Sequence, residues 1–161
     1  MTGLLILVLA LAAATAFGLY RRRVDGRFAA SAAPAVVAGT VDDAQPAASE
    51  APAGPDAHSV WSQVESALPG VEPGRSATLV QFSSAFCAPC RTTRVVLADV
   101  AEKVDGVVHV EVDAEKHLDL VRALDVRRTP TTLVLDARGV EITRAAGAPR
   151  REQVLAALPA L

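Results

Sequence analysis

The 161-residue chain has two cysteines, one tryptophan, one tyrosine, one methionine and three histidines. Two cysteines are too few to build a fold out of disulfides. His109 and His117 are eight positions apart, too widely spaced for the paired histidines of a zinc finger, and no metal site is expected. Lysine and arginine (16) nearly balance aspartate and glutamate (18), so the net charge is −2. No basic stripe runs through the chain, which argues against a nucleic-acid partner. There is no internal repeat.

Charge is also missing from residues 3–20, which are mostly Leu, Ala, Ile and Val. Eighteen such residues are just enough to span a bilayer as a helix. A secretory signal places positive charge ahead of its apolar run. Here only the terminal amine precedes the run, and Arg21, Arg22 and Arg23 follow it. A small-x-small pattern exists at Ala14-Thr15-Ala16, but three arginines just beyond it would be a poor start for a translocated chain. Residues 1–23 therefore read as a retained single-pass anchor with an arginine flank. The positive-inside rule puts that flank, and the C-terminal domain, on the cytoplasmic side of the cell membrane. The alternative is an extracytoplasmic domain.

Residues 24–57 hold twelve alanines, four prolines and three glycines without apolar periodicity. Such a composition buries too little surface to offset ordering entropy, so it reads as a flexible linker. Its reach would be on the order of 30 Å, leaving the domain free to reorient. From residue 58 to 161 the pattern is regular. Val60, Trp61, Val64 and Leu68 fall on one helical face behind Ser59 as cap, with Trp61 as core anchor. ATLVQFS is a buried strand. Val96, Leu97, Val100, Ala101 and Val104 recur at helical spacing, and VVHVEVD alternates with Val108, Val110 and Val112 on one face. EKHLDLVRALDV suits a helix presenting Leu118, Val121 and Leu124. TTLVLD and VEITR form a hairpin around Gly139. PRREQVLAALPAL closes as a helix with Pro149 in its first turn. The first two strands are joined through a helix and should be parallel with a right-handed crossover. The expected fold is α/β, with a mixed central sheet flanked by helices.

Both cysteines lie in LVQFSSAFCAPCRTTR, as Cys87 and Cys90. A redox couple, a metal clip and a structural staple are the three readings open. Cys87 follows a strand and precedes a helix that begins near Pro89. The partial positive charge and unpaired N–H groups of a helix N-terminus favour a thiolate there, lowering the Cys87 pKa. Pro89 lacks an N–H, which costs nothing in a first turn. Cys90, three positions on, is within reach of a disulfide and more deeply placed. That asymmetry gives a nucleophile and a resolving thiol. Arg91 and Arg94 read as a solvated face, with depression of the Cys87 pKa as the alternative.

CAPC, followed 43 residues after Cys87 by the Pro130 of RRTPTTLVLD and then by AAGA around Gly147, resembles the thioredoxin family. The resemblance covers residues 58–161. It implies a thioredoxin-like fold behind a single N-terminal transmembrane helix, and thiol–disulfide oxidoreductase activity needing no cofactor beyond the redox-active disulfide. By the same resemblance Cys87 is the nucleophile, Cys90 the resolving thiol and Pro130 a cis-proline, while Phe86, Ala88, Pro89, Thr129 and Gly147 contact substrate. The implied partners are disulfide-bearing proteins and an electron donor such as a thioredoxin reductase. The chain departs from the family at three places. Phe86 stands where a tryptophan is usual, and Val95 where many members have a kinking proline. Gln81 and His109 replace the buried aspartate and its lysine; they read as hydrogen-bonded polar residues on a partly covered face, with a proton relay as the alternative. Two other readings are a non-catalytic binding module at the membrane and an extracytoplasmic oxidoreductase of the cytochrome c maturation type.

Overall fold

The computed structural model describes residues 2–24, 26–30 and 59–160. Its elements in chain order are α1 (Thr2–Val24), β1 (Phe28–Ala30), α2 (Val60–Ala67), β2 (Ala77–Ser83), α3 (Ala88–Lys103), β3 (Val107–Asp113), α4 (Leu118–Ala123), β4 (Thr131–Asp136), β5 (Glu141–Ala146) and α5 (Arg151–Ala157). The strands form one sheet in the order β1-β5-β4-β2-β3. β2 pairs parallel with β3 and antiparallel with β4, which in turn pairs antiparallel with β5. This is the mixed α/β sheet expected from the helix linking β2 to β3 and from the β4–β5 hairpin.

Alternation along the strands divides the core. Trp61 and Val64 of α2 and Leu120 of α4 pack with Val80, Phe82, Val110, Val112, Leu133 and Leu135 on one face. Leu97 and Val100 of α3 and Val154 of α5 pack with Ala77, Leu79, Val107 and Val134 on the other. Trp61 is only 1% exposed, and Ser59 caps α2 by accepting the Ser62 amide at 3.2 Å. Every residue of β2 is buried, as a strand covered by helices on both faces must be.

Some expectations shift. α4 is a single short helix that turns Leu120 inward and leaves Leu118 half exposed; six residues are too few to fix a helical phase by periodicity. α5 begins at Arg151 behind an Arg150 cap, so Pro149 precedes the helix instead of entering its first turn. Residues 6–20 of α1 expose their side chains. Among the described residues no helix is long and apolar enough to cross a membrane.

The largest correction concerns the expected linker. Phe28–Ala30 is not a free tether but an edge strand, antiparallel to β5 in the register Phe28↔Ala145, Ala29↔Arg144, Ala30↔Thr143. Phe28 packs against the α3–α5 core, and the Thr143 hydroxyl donates to the Ala29 carbonyl at 2.8 Å. Gly26 is buried and donates its amide to the Ala146 carbonyl at 3.1 Å. Its φ is +75°, and a Cβ there would sit 2.3 Å from the Ala148 carbonyl oxygen. Only glycine meets both conditions. The rest of the expected linker, residue 25 and residues 31–57, lies outside the described residues, as does residue 58.

Gly26→Ala is therefore expected to loosen the strap by about 1–2 kcal/mol, raising hydrogen exchange at the amides of residues 28–30 about tenfold. The amides of β2 should keep their protection. Unchanged exchange at 28–30 would show that the strap does not depend on this glycine.

Candidate active site

The C-terminal ends of β2, β3 and β5 and the N-terminal end of β4 lie together, because β2 is parallel to β3 and antiparallel to β4. The chain leaves β2 at Ser83 and enters α3 at Ala88, with Cys87 as the N-cap. The Cys90 amide points back at the Cys87 sulfur, 3.1 Å away, and at the Cys87 carbonyl, also 3.1 Å away. Cys87 and Cys90 are disulfide-bonded, with their Cα atoms 5.2 Å apart. Cys87 is half-buried while Cys90 is 2% exposed, the asymmetry expected of an attacking and a resolving sulfur. Pro89 takes its place in the first turn of α3, where no N–H is missed.

The Thr129–Pro130 peptide bond is cis. Two contacts tie its loop to its neighbours. The Ser84 and Thr129 hydroxyls are hydrogen-bonded at 3.0 Å, joining it to the cysteine loop. The Gly147 amide donates to the Pro130 carbonyl at 2.8 Å, joining it to the end of β5. Gly147 has φ +104°, a conformation that side-chain-bearing residues rarely adopt. Phe86, Ala88 and Pro89 are exposed beside the disulfide, Phe86 at 99%. Ser83, Ser84, Ala85, Cys87, Cys90, Arg91, Arg94, Glu111 and Asp113 line a cleft of about 350 Å³ against the cysteines.

Gln81 and His109 meet as expected, with Nε2 of His109 3.1 Å from Oε1 of Gln81. Gln81 is fully buried. Its amide nitrogen donates to the Cys90 carbonyl at 2.9 Å and to the Ser83 hydroxyl at 2.7 Å. With both amide protons committed, Oε1 must accept, so Nε2 of His109 carries the proton of that bond. Burial, aided by the Arg94 charge, holds the His109 pKa below its usual 6.5 against the pull of Glu111. The imidazole is therefore neutral at pH 7. Among the described hydrogen bonds, Gln81 reaches the carbonyl of Cys90 and not its sulfur. The pair is thus a set of hydrogen-bonded polar residues holding the Cys90 backbone, and the proton-relay alternative gains no bonded path.

Glu111, which the sequence did not mark, lines the cleft together with Arg94. Glu111 lies opposite Gln81 in the parallel register and forms a two-point ion pair with Arg94, at 2.6 Å and 2.5 Å. Burial pushes its carboxyl up. Hydrogen bonds from Arg94 and Ser83 outweigh this and hold it below the usual range. Arg94, expected to be a solvated face, is thus anchored. The available signal was its position four residues after Cys90, on the same helix face.

Acidification should report on His109. Its pKa is depressed in the folded state, so the unfolded chain takes up the proton first, and stability falls as pH drops below about 6.5. Glu111, also depressed, adds its loss only below about pH 4.5. Urea unfolding followed by Trp61 fluorescence should show midpoints decreasing from pH 6.5 toward 4.5. His109→Asn should flatten that slope; an identical slope would assign the effect elsewhere.

The family model described as Thioredoxin matches residues 70–160, more than half of the chain. The chain is 32% identical over 83 residues to thioredoxin H-type 1 of Nicotiana tabacum, covering 52% of this chain and 64% of that protein. It is 35% identical over 74 residues to thioredoxin H2 of Arabidopsis thaliana, covering 46% and 55%. It is 32% identical over 69 residues to the thioredoxin of Mycoplasma genitalium, covering 43% and 67%. The chain thus spans about half to two thirds of the length of these relatives. α1, β1 and α2 precede the matched stretch. With a disulfide at the head of α3, a cis-proline beside it and this family match, the chain belongs to the thioredoxin family.

Proposed function

We propose that the protein is a thiol–disulfide oxidoreductase that reduces disulfides of protein substrates while tethered to a membrane by α1. One observation carries the redox reading. The half-buried Cys87 sulfur accepts the Cys90 amide at the N-terminus of α3, with the buried Cys90 bonded to it. In the reduced form the helix N-terminus stabilises the Cys87 thiolate. That thiolate attacks one sulfur of a substrate disulfide; the S–S bond breaks and a mixed disulfide forms. Cys90, having given up its proton, attacks the Cys87 sulfur and expels the substrate's second thiolate. Two electrons leave the protein dithiol, the substrate ends as a dithiol, and the protein ends in the disulfide form described here. An external donor, such as a thioredoxin reductase, must return the two electrons. The substrate chain would lie extended along Thr129 and Gly147, pairing its backbone as an added strand.

The tether rests on the eighteen uncharged residues 3–20 and on α1, whose side chains at residues 6–20 are exposed. A helix apolar all round belongs in an apolar medium. The arginines after the run favour a cytoplasm-facing domain at the cell membrane. That compartment keeps thiols reduced, which favours the reductive direction.

Insulin reduction by the purified chain tests the activity. Cys87→Ser should lower turnover about a hundredfold or more, and Cys90→Ser should trap the mixed disulfide. Alkylation of reduced protein across pH should place the Cys87 midpoint below the free-thiol value of about 8.5. No insulin reduction by the unsubstituted chain would leave a non-catalytic binding module as the better reading, and full turnover in Cys87→Ser would remove Cys87 as the nucleophile. Protease access to residues 31–58 in intact cells and spheroplasts would decide the side of the membrane.

A further inference from the structure

The expected tether between helix and domain is nearly absent. Val24 ends α1 and Gly26 is already bonded to the domain. Two residues reach at most about 7 Å. The point of attachment is also informative. Gly26 donates to the Ala146 carbonyl and lies against Ala148, while Gly147 between them donates to the Pro130 carbonyl. β1 is antiparallel to β5, so its N-terminal end lies at the end of the sheet that carries Pro130, Thr129, Ser84 and Cys87. Three strand spacings, about 14 Å, separate β1 from β2 across the sheet. The C-terminus of α1 is therefore on the order of 20 Å from the disulfide, on the same end of the domain. The Asp105 loop, between the C-terminus of α3 and the start of β3, lies at the opposite end.

Resting on the membrane-tethered reading above, we propose that the strap of residues 26–30 holds the Cys87–Cys90 centre toward the bilayer in which α1 sits. The substrate it then serves is a disulfide carried close to the bilayer surface by a protein of the same membrane. A freely reorienting domain on a long linker would sample soluble and membrane disulfides alike. A domain clamped at two residues from the helix meets those beside the bilayer at high effective concentration. The exposed Phe86 ring, beside Cys87 on this end, supplies an apolar contact for such a partner. The exchange is the one written above: the substrate S–S bond breaks, the Cys87–Cys90 bond forms, and two electrons pass to the substrate.

Orientation is read without activity. The full chain bearing Cys87→Ser and Cys90→Ser is given a single labelled cysteine, Ala85→Cys or Asp105→Cys. It is then reconstituted in phosphatidylcholine–phosphatidylglycerol vesicles containing a headgroup nitroxide lipid. A domain of these dimensions should give about twofold or more stronger quenching at Ala85 than at Asp105. Equal or reversed quenching overturns the proposal while leaving the oxidoreductase reading intact. Failure of the chain to enter vesicles overturns the tether and this inference together, whereas insulin reduction still tests the redox chemistry. Substrate class is read by inserting about twenty Gly/Ser residues between Val24 and Asp25. Reduction of a membrane-spanning peptide with a disulfide at the bilayer surface should slow about tenfold, with insulin reduction unchanged. An unchanged peptide rate overturns the proposal.

Discussion

One sulfur at the head of one helix organises this molecule. Cys87 occupies the N-cap of α3, where a serine, threonine or aspartate would ordinarily take the first free amide. The Cys90 N–H points at the sulfur instead. In the disulfide form this contact accompanies a neutral bond. In the dithiol form the same amide and the helix dipole face a sulfur able to carry negative charge, and stabilise it. The chemistry thus depends on β2 delivering the chain to that spot, and on α3 starting there.

The supporting structure fixes the surroundings of that sulfur from three sides. Beneath α3, Gln81 commits both amide protons to Cys90 and Ser83 and its oxygen to His109. A buried amide so fully bonded resists rotation, because any turn leaves a buried donor unpaired. Beside the cysteines, the Ser84–Thr129 and Gly147–Pro130 bonds lock the cis-proline loop to the ends of β2 and β5. At the far edge β1 lengthens the sheet next to β5 and ties it to the N-terminal helix. The wall of the site and the origin of α1 are consequently parts of one hydrogen-bonded layer.

Much of this was legible in the residues. The seven-residue apolar run of β2, the helical spacing after Cys90 and the alternation of β3 each follow from a period that burial imposes. The cis bond before Pro130 was expected from the resemblance to the thioredoxin family, and the closeness of Cys87 and Cys90 from their spacing. Other features were not legible. Phe28–Ala30 is three residues inside an alanine- and proline-rich stretch, and its partner Thr143 is 114 residues away from Ala29. Glu111 joins the site only because β2 and β3 align Gln81 with it. Periodicity states which face a residue takes but not which residue stands opposite.

Sequence alone determined that a thiol pair would open a helix behind a buried strand, since that outcome needs only local order and the apolar pattern of one segment. It also placed eighteen uncharged residues at the N-terminus. Tertiary structure alone decided that Gln81 is saturated by its neighbours, that Arg94 is held by Glu111, and that residues 26–30 are clamped to the sheet at the end that carries the cysteines. Those facts depend on strand register and on which edge of the sheet is free. Both are set when distant segments pack, and neither is written in any short stretch of the chain.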